Sequence, residues 1–84
     1  MGTSFALDRL QDGEAACVVG LDNDVSMQRR LTDLGLIPGT RVTCLYHSPA
    51  GDPAAYLIRG AVIALRRLDA GQVRVRPASR VPLA

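Results

Sequence analysis

Apolar positions along the chain fall into short blocks separated by turn residues, and the spacing inside each block predicts its element. Ala15 to Val19 is an unbroken apolar run of strand length, as a buried strand requires. Gln72-Val73-Arg74-Val75-Arg76 alternates, which puts Val73 and Val75 on one face of a strand and three polar side chains on the other. Arg41 to His47 is rich in β-branched and aromatic residues and reads as a further strand. Ala55–Ile58 and Ala61–Leu65 flank Arg59-Gly60, a two-residue hairpin connection. Only one block has helical spacing. Behind Asp24, a capping residue, Met27, Leu31 and Leu34 recur at intervals of four and three, with Gln28, Arg29, Arg30, Thr32 and Asp33 on the other face and Gly35 as the stop.

The segments between are turns. Leu7 to Gly13 reads as a helical turn ending at Gly13, Gly20 to Asn23 as a loop, and Leu36-Ile37-Pro38-Gly39 as a rigid turn. Ser48 to Pro53 reads as a loop and Leu68 to Gly71 as a turn, while residues 77–84 have too little pattern to be more than a tail. About five short strands cannot make two sheets, and a sheet closed on itself has no exposed edge. The expected fold is therefore mainly β: a small, strongly bent β-barrel with one short α-helix capping an open end.

Composition sharpens this picture. The 84 residues make one domain, expected over 1–84 with its core over about 7–76, and the 48% apolar share is that of a globular chain. No apolar run approaches the ~18 residues of a spanning helix, and Met1 to Phe5 has neither the basic nor the apolar part of a secretory signal, so the expected location is cytoplasmic, without membrane insertion. All ten basic residues are arginines, scattered except for Arg29-Arg30 and Arg66-Arg67. With only Phe5, Tyr46 and Tyr56 as aromatics, the basic stripe interleaved with stacking rings of a nucleic-acid module is missing. Cys17 and Cys44 stand singly in apolar stretches, so both are expected to act as small buried hydrophobes.

Catalytic patterns are absent: there is no phosphate loop, no nucleophile elbow and no HExxH, and the acidic residues sit in turns and helix starts. The chain is expected not to be an enzyme and to need no cofactor. His47 and Asp52, with Cys44 beside them, lie around one strand end and its loop, and imidazole plus carboxylate suits zinc or ferrous iron. A closed structural zinc site takes about four ligands, more than this region offers, so His47 is expected to face solvent and any metal to be adventitious, shared between two molecules. Leu34-Gly35-Leu36-Ile37-Pro38-Gly39 is more apolar than a turn demands. Leu36 and Ile37 either plug the barrel end or form an apolar lip beside Arg29 and Arg30.

The run Arg30-Leu31-Thr32-Asp33-Leu34-Gly35-Leu36-Ile37-Pro38-Gly39-Thr40-Arg41-Val42 resembles the RLxxLGLxPGxxV signature of FeoA-type ferrous-iron transport proteins. Further matches follow in order: Gly51-Asp52-Pro53, Arg59-Gly60, Ile63-Ala64-Leu65-Arg66, and Ala70 before Val73-Arg74-Val75, with Leu7, Leu10 and Gly13 at the opening. The resemblance implies an SH3-like barrel and a cytosolic accessory of FeoB, the membrane ferrous-iron transporter with a GTP-binding domain. The same signature occurs in C-terminal domains of iron-dependent repressors of the diphtheria-toxin-repressor type, behind a helix-turn-helix domain for which this chain has no room. The scarcity of aromatic side chains argues against the proline-rich ligands of SH3 grooves.

The expected function is thus a non-enzymatic modulator of ferrous-iron uptake acting by contact with FeoB, through its cytosolic GTPase domain. The expected contact surface is Arg29, Arg30, Leu34, Leu36 and Ile37. A homodimer is left open and no nucleic acid is expected as partner. The alternatives are a metal-binding carrier or sensor for iron or zinc, and a small nucleic-acid-binding barrel.

Overall fold

The apolar blocks fold into six strands and two helices in a computed structural model that describes residues 3–78. In chain order these are β1 (Phe5–Ala6), a 3-10 turn (Leu7–Arg9), β2 (Ala15–Leu21), α1 (Val25–Asp33), β3 (Arg41–His47), β4 (Ala54–Ile58), β5 (Ala61–Leu65), α2 (Arg67–Ala70) and β6 (Val73–Pro77). All pairings are antiparallel, in one sheet of order β1-β6-β2-β3-β4-β5. The mainly-β expectation holds, with six strands in place of five. The sheet does not close, because β1 and β5 are its two ends and are not paired to each other. The open side of the core is covered by α1, whose Leu31, 1% exposed, joins Val18, Val42, Ile58 and Val75 in one apolar cluster. Burying one such leucine contributes about 1.5–3 kcal/mol.

Three local readings change. Gly20 and Leu21 extend β2, so the loop before α1 is shorter than expected. Leu68 to Gly71 is mostly the short helix α2, not a simple turn. The helical turn at Leu7 stops at Arg9, two strand residues before it pair with β6, and Gly13 belongs to a later turn. The tail expected from 77 begins within β6, and its residues 79–84 lie outside the described ones.

The helix and the turn after it follow the sequence closely. The Asp24 side chain accepts a hydrogen bond from the Met27 N–H at 2.8 Å, which caps α1. At the other end the Gly35 N–H donates to Thr32 O and the Leu36 N–H to Leu31 O, both at 2.9 Å, with Gly35 at φ +108°. This is the Schellman arrangement, and its customary apolar contact falls between Leu31 and Leu36, both in the core cluster. A type II turn follows immediately: Thr40 N–H donates to Ile37 O at 3.0 Å across Pro38 and Gly39, the latter at φ +92°. Two backbone bonds of 2.8 Å, Val18 N–H to Thr40 O and Gly39 N–H to Val18 O, fasten that turn to β2. The signature from Arg30 to Val42 is therefore a helix end, a cap and a turn, locked to the sheet.

Two irregularities bend the sheet. The β2–β6 register shifts between Val18 and Gly20, and the β3–β4 register shifts between Cys44 and Tyr46. Each leaves one residue, Val19 or Leu45, without an opposite number, as in a β-bulge.

Candidate functional site

Two regions concentrate the residues singled out by sequence. The first is the outer face of α1 and the groove beside it. Arg29 and Arg30 are exposed on α1, and Leu34 and Ile37 remain 42% and 39% exposed. The apolar stripe of α1 is real, but only Leu31 reaches the core. Met27 is half-buried, and Leu34 turns toward an open groove of about 460 Å³ between α1 and the β5–α2 corner. Arg30, Leu34 and Met27 line one wall, and Ile63, Leu65 and Leu68 the other. Leu68 is 72% exposed, so both walls of the groove carry an uncovered apolar side chain, Leu34 on one and Leu68 on the other. Leu36 does not belong to that surface. It is 0% exposed, enclosed as the apolar partner of Leu31, and is corrected from a contact residue to a core residue.

The second region lies at the far end of β3. Asp12 Oδ1 and His47 Nδ1 are 2.6 Å apart, and the ligand atoms of Asp12, Cys44 and His47 all lie within 4.8 Å of one another. Backbone pairing holds the Asp12 turn there: Gly13 N–H donates to Cys44 O at 2.7 Å, and Cys44 N–H to Glu14 O at 2.8 Å. The bulge at Leu45 brings in His47. Residues 44 and 47 would face opposite sides of a regular strand, where side chains alternate. With one residue left over, Cys44 sits opposite Tyr56 and His47 opposite Ala54, two residues apart on β4 and hence on the same inner face.

The environments of the three differ. Cys44 is 0% exposed, whereas the His47 and Asp12 side chains are 32% and 61% exposed. Burial pushes the Cys44 thiol above its ordinary pKa, and the negative charges of Asp12 and Glu14 push it further. The sequence-level pairing of His47 with Asp52 is corrected. Asp52 Oδ1 accepts the Arg67 N–H at 2.8 Å and so serves the first turn of α2, while Asp12, 35 residues before His47, occupies the place beside the imidazole. His47 is consequently half-buried and hydrogen-bonded, not simply solvent-facing. Of the two cysteines only Cys44 is buried; Cys17 is half-buried. No sequence signal marks the Leu45 bulge, so the approach of Cys44 to His47 could not be read in advance.

The chain is similar to known proteins over most of its length. Residues 5–77 match the model of the FeoA domain family. A curated relative from Porphyromonas gingivalis, the Fe(2+) transport protein A/Fe(2+) transporter FeoB fusion protein, is 29% identical over 69 residues. That match takes in 82% of this chain and 8% of the relative, so the chain spans less than a tenth of the protein it resembles. The solution structure of the FeoA protein from Chlorobium tepidum superposes with a TM-score of 0.85 at 31% identity, covering 89% of this chain and 71% of that one. Stenotrophomonas maltophilia FeoA, solved in complex with zinc and described as a prokaryotic SH3 domain protein, superposes with a TM-score of 0.76 at 27% identity, covering 84% and 88%. A manganese-dependent transcriptional repressor, 20% identical with a TM-score of 0.83, shares the fold over 38% of its length.

Proposed function

The chain belongs to the FeoA domain family, and on that premise we propose that it is a non-enzymatic accessory of ferrous-iron uptake that acts by contact with the cytosolic GTPase domain of FeoB. The observation that carries this reading is the fusion relative, in which a homologous stretch and the FeoB transporter are parts of one polypeptide. A permanent covalent link supplies a high local concentration, and is useful when the two parts work against each other's surfaces. The ferrous ion is the transporter's cargo in this scheme.

The docking face is the α1 side, where Arg30 and Leu34 line the groove, Arg29 is exposed on the same helix outside it, and Ile37 lies beyond the cap. Arginine is enriched in protein–protein contacts, and the partly exposed aliphatic side chains beside it offer apolar area to bury. The charges favour an acidic patch on the partner and would steer its approach. The test is binding of the purified chain to the isolated FeoB GTPase domain, with GDP and with a GTP analogue. Saturable binding is expected, weakened by Arg30→Glu without loss of folding. Absence of binding in either nucleotide state, or equal binding by the variant, would overturn the assignment of this contact.

A further inference from the structure

We propose that Asp12, Cys44 and His47 form a three-ligand site for a single divalent transition metal ion, of the class that takes mixed sulfur, nitrogen and oxygen donors, zinc or ferrous iron. The proposal rests on three features of this chain and is independent of the contact with FeoB.

The first is the donor set. Thiolate, imidazole and carboxylate are the three side-chain ligands of zinc-type ions, and their ligand atoms here lie within 4.8 Å of one another. Around a four-coordinate ion with bonds of about 2.0–2.3 Å, ligand atoms stand roughly 3.3–3.8 Å apart. The Asp12–His47 contact of 2.6 Å must therefore widen by about 1 Å. Asp12 has the freedom to do so, since its side chain is 61% exposed on a turn.

The second is that the backbone builds the site. Gly13 and Glu14 pair with Cys44 itself, so the Asp12 turn is tied to the residue it would share a metal with. The Leu45 bulge turns His47 onto the Cys44 face, and bulges are often used to re-aim a side chain. The third is electrostatic. Asp12 belongs to the cluster and Glu14 follows it on the same turn, its carbonyl accepting the Cys44 N–H, so a cation at this point has two acidic residues on the adjoining turn before the thiol is counted. Binding removes the Cys44 proton to solvent and replaces the S–H bond by a metal–sulfur bond. The proton that Nδ1 shares with Asp12 leaves that nitrogen through solvent, the bound imidazole carrying its single proton on Nε2, so the Asp12–His47 hydrogen bond is exchanged for two metal–ligand bonds.

Exposure on the Asp12 and His47 side leaves the fourth position to water or to an exchanging ligand. Three protein ligands with a fourth position open to water set such a site apart from the closed, four-ligand structural ones. The divalent series places zinc above ferrous iron in affinity for such donors.

The experiment is a titration of the reduced, metal-free full chain with cobalt(II), followed by competition with zinc and, anaerobically, with ferrous iron. One cobalt per chain is expected, with a thiolate-to-cobalt charge-transfer band that zinc bleaches. Cys44→Ala removes the band, and Asp12→Asn and His47→Ala each weaken binding at least about tenfold, the lower end of what altering a metal's surroundings costs. Cys17→Ala and Asp52→Asn leave it unchanged. Because Cys44 is a core residue, Asp12 and His47, both outside the core, decide the matter where Cys44→Ala fails to fold. No charge-transfer band in the unaltered chain, a band that follows Cys17, or affinity unmoved by both Asp12→Asn and His47→Ala would overturn the proposal.

Discussion

The stem of Arg59 lies across Gly35, close enough that a Cβ built on Gly35 would stand 2.5 Å from Arg59 Cδ and 3.1 Å from Cγ. Arg59 sits in the β4–β5 turn at φ +51°, and Gly35 caps α1 at φ +108°. The cap of the helix and the tip of the hairpin are thus in contact through the one residue type that allows it.

Gly35→Ala is expected to destabilise the fold by about 1–3 kcal/mol from backbone strain, with the contact against Arg59 adding to it. Adding Arg59→Gly removes the contact but not the strain, so the double variant recovers part of the loss. Melting curves of the four proteins in this cycle measure the coupling, expected at about 0.5 kcal/mol or more. Additive effects would mean that Arg59 moves aside at no cost.

Leu34 and Leu36 are two residues apart and are expected to behave oppositely. Leu36→Ala empties a fully enclosed position and should cost about 2–5 kcal/mol. Leu34→Ala, at a site 42% exposed, should stay within about 0.5 kcal/mol of the unaltered chain while weakening partner binding. Denaturant unfolding of both variants tests this, and a large loss from Leu34→Ala would place its side chain in the core after all.

Asp52 gives α2 the cap that its own N-terminal residue, Arg66, does not provide. Asp52→Ala leaves the Arg67 N–H without this acceptor and should lower stability by about 0.5–2 kcal/mol, in the range of a lost helix cap. Chemical denaturation of the variant is the measurement. Unchanged stability would show that water replaces the carboxylate freely.

Tyr56, 1% exposed in the core, has its phenol pKa raised by burial and, to a lesser degree, by Cys44, Asp8 and Asp52. Below the ordinary value of 10.0 both folded and unfolded chains keep the proton. Above it the unfolded chain releases the proton first and binds fewer than the folded one, so stability falls as pH rises. The slope is up to about 1.4 kcal/mol per pH unit for this group. Tyr56→Phe should flatten the decline of unfolding free energy above about pH 10. An unchanged slope would assign the alkaline loss to other groups.

Much of the frame was legible because it is local. The Asp24 cap, the Gly35 stop, the Pro38-Gly39 turn and the Arg59-Gly60 hairpin each need a particular residue type at a particular place. The Val73–Val75 alternation follows equally from period two. What escaped depends on register and on distance along the chain. Leu45 carries no mark of being the extra residue in β3, and nothing in the sequence links Asp12 to a histidine 35 residues later. Leu34 shares the period of Leu31, but period gives a face and not its depth, and the groove beside β5 leaves that part of the face uncovered. The sheet stays open because α1, not a sixth pairing, closes over the core; strand counting cannot distinguish the two.

The two ends of the sheet are unequal. At one end β1 offers two residues, at the other β5 offers five whose outer edge has no strand beside it among the described residues. A short edge is a poor template for a further strand, and a longer one is a good template. Growth of the sheet by strand addition therefore has a preferred starting place at β5. Were two copies to pair there edge to edge, the ends of the joint sheet would be the two-residue β1 strands, and pairing by this route would stop at two.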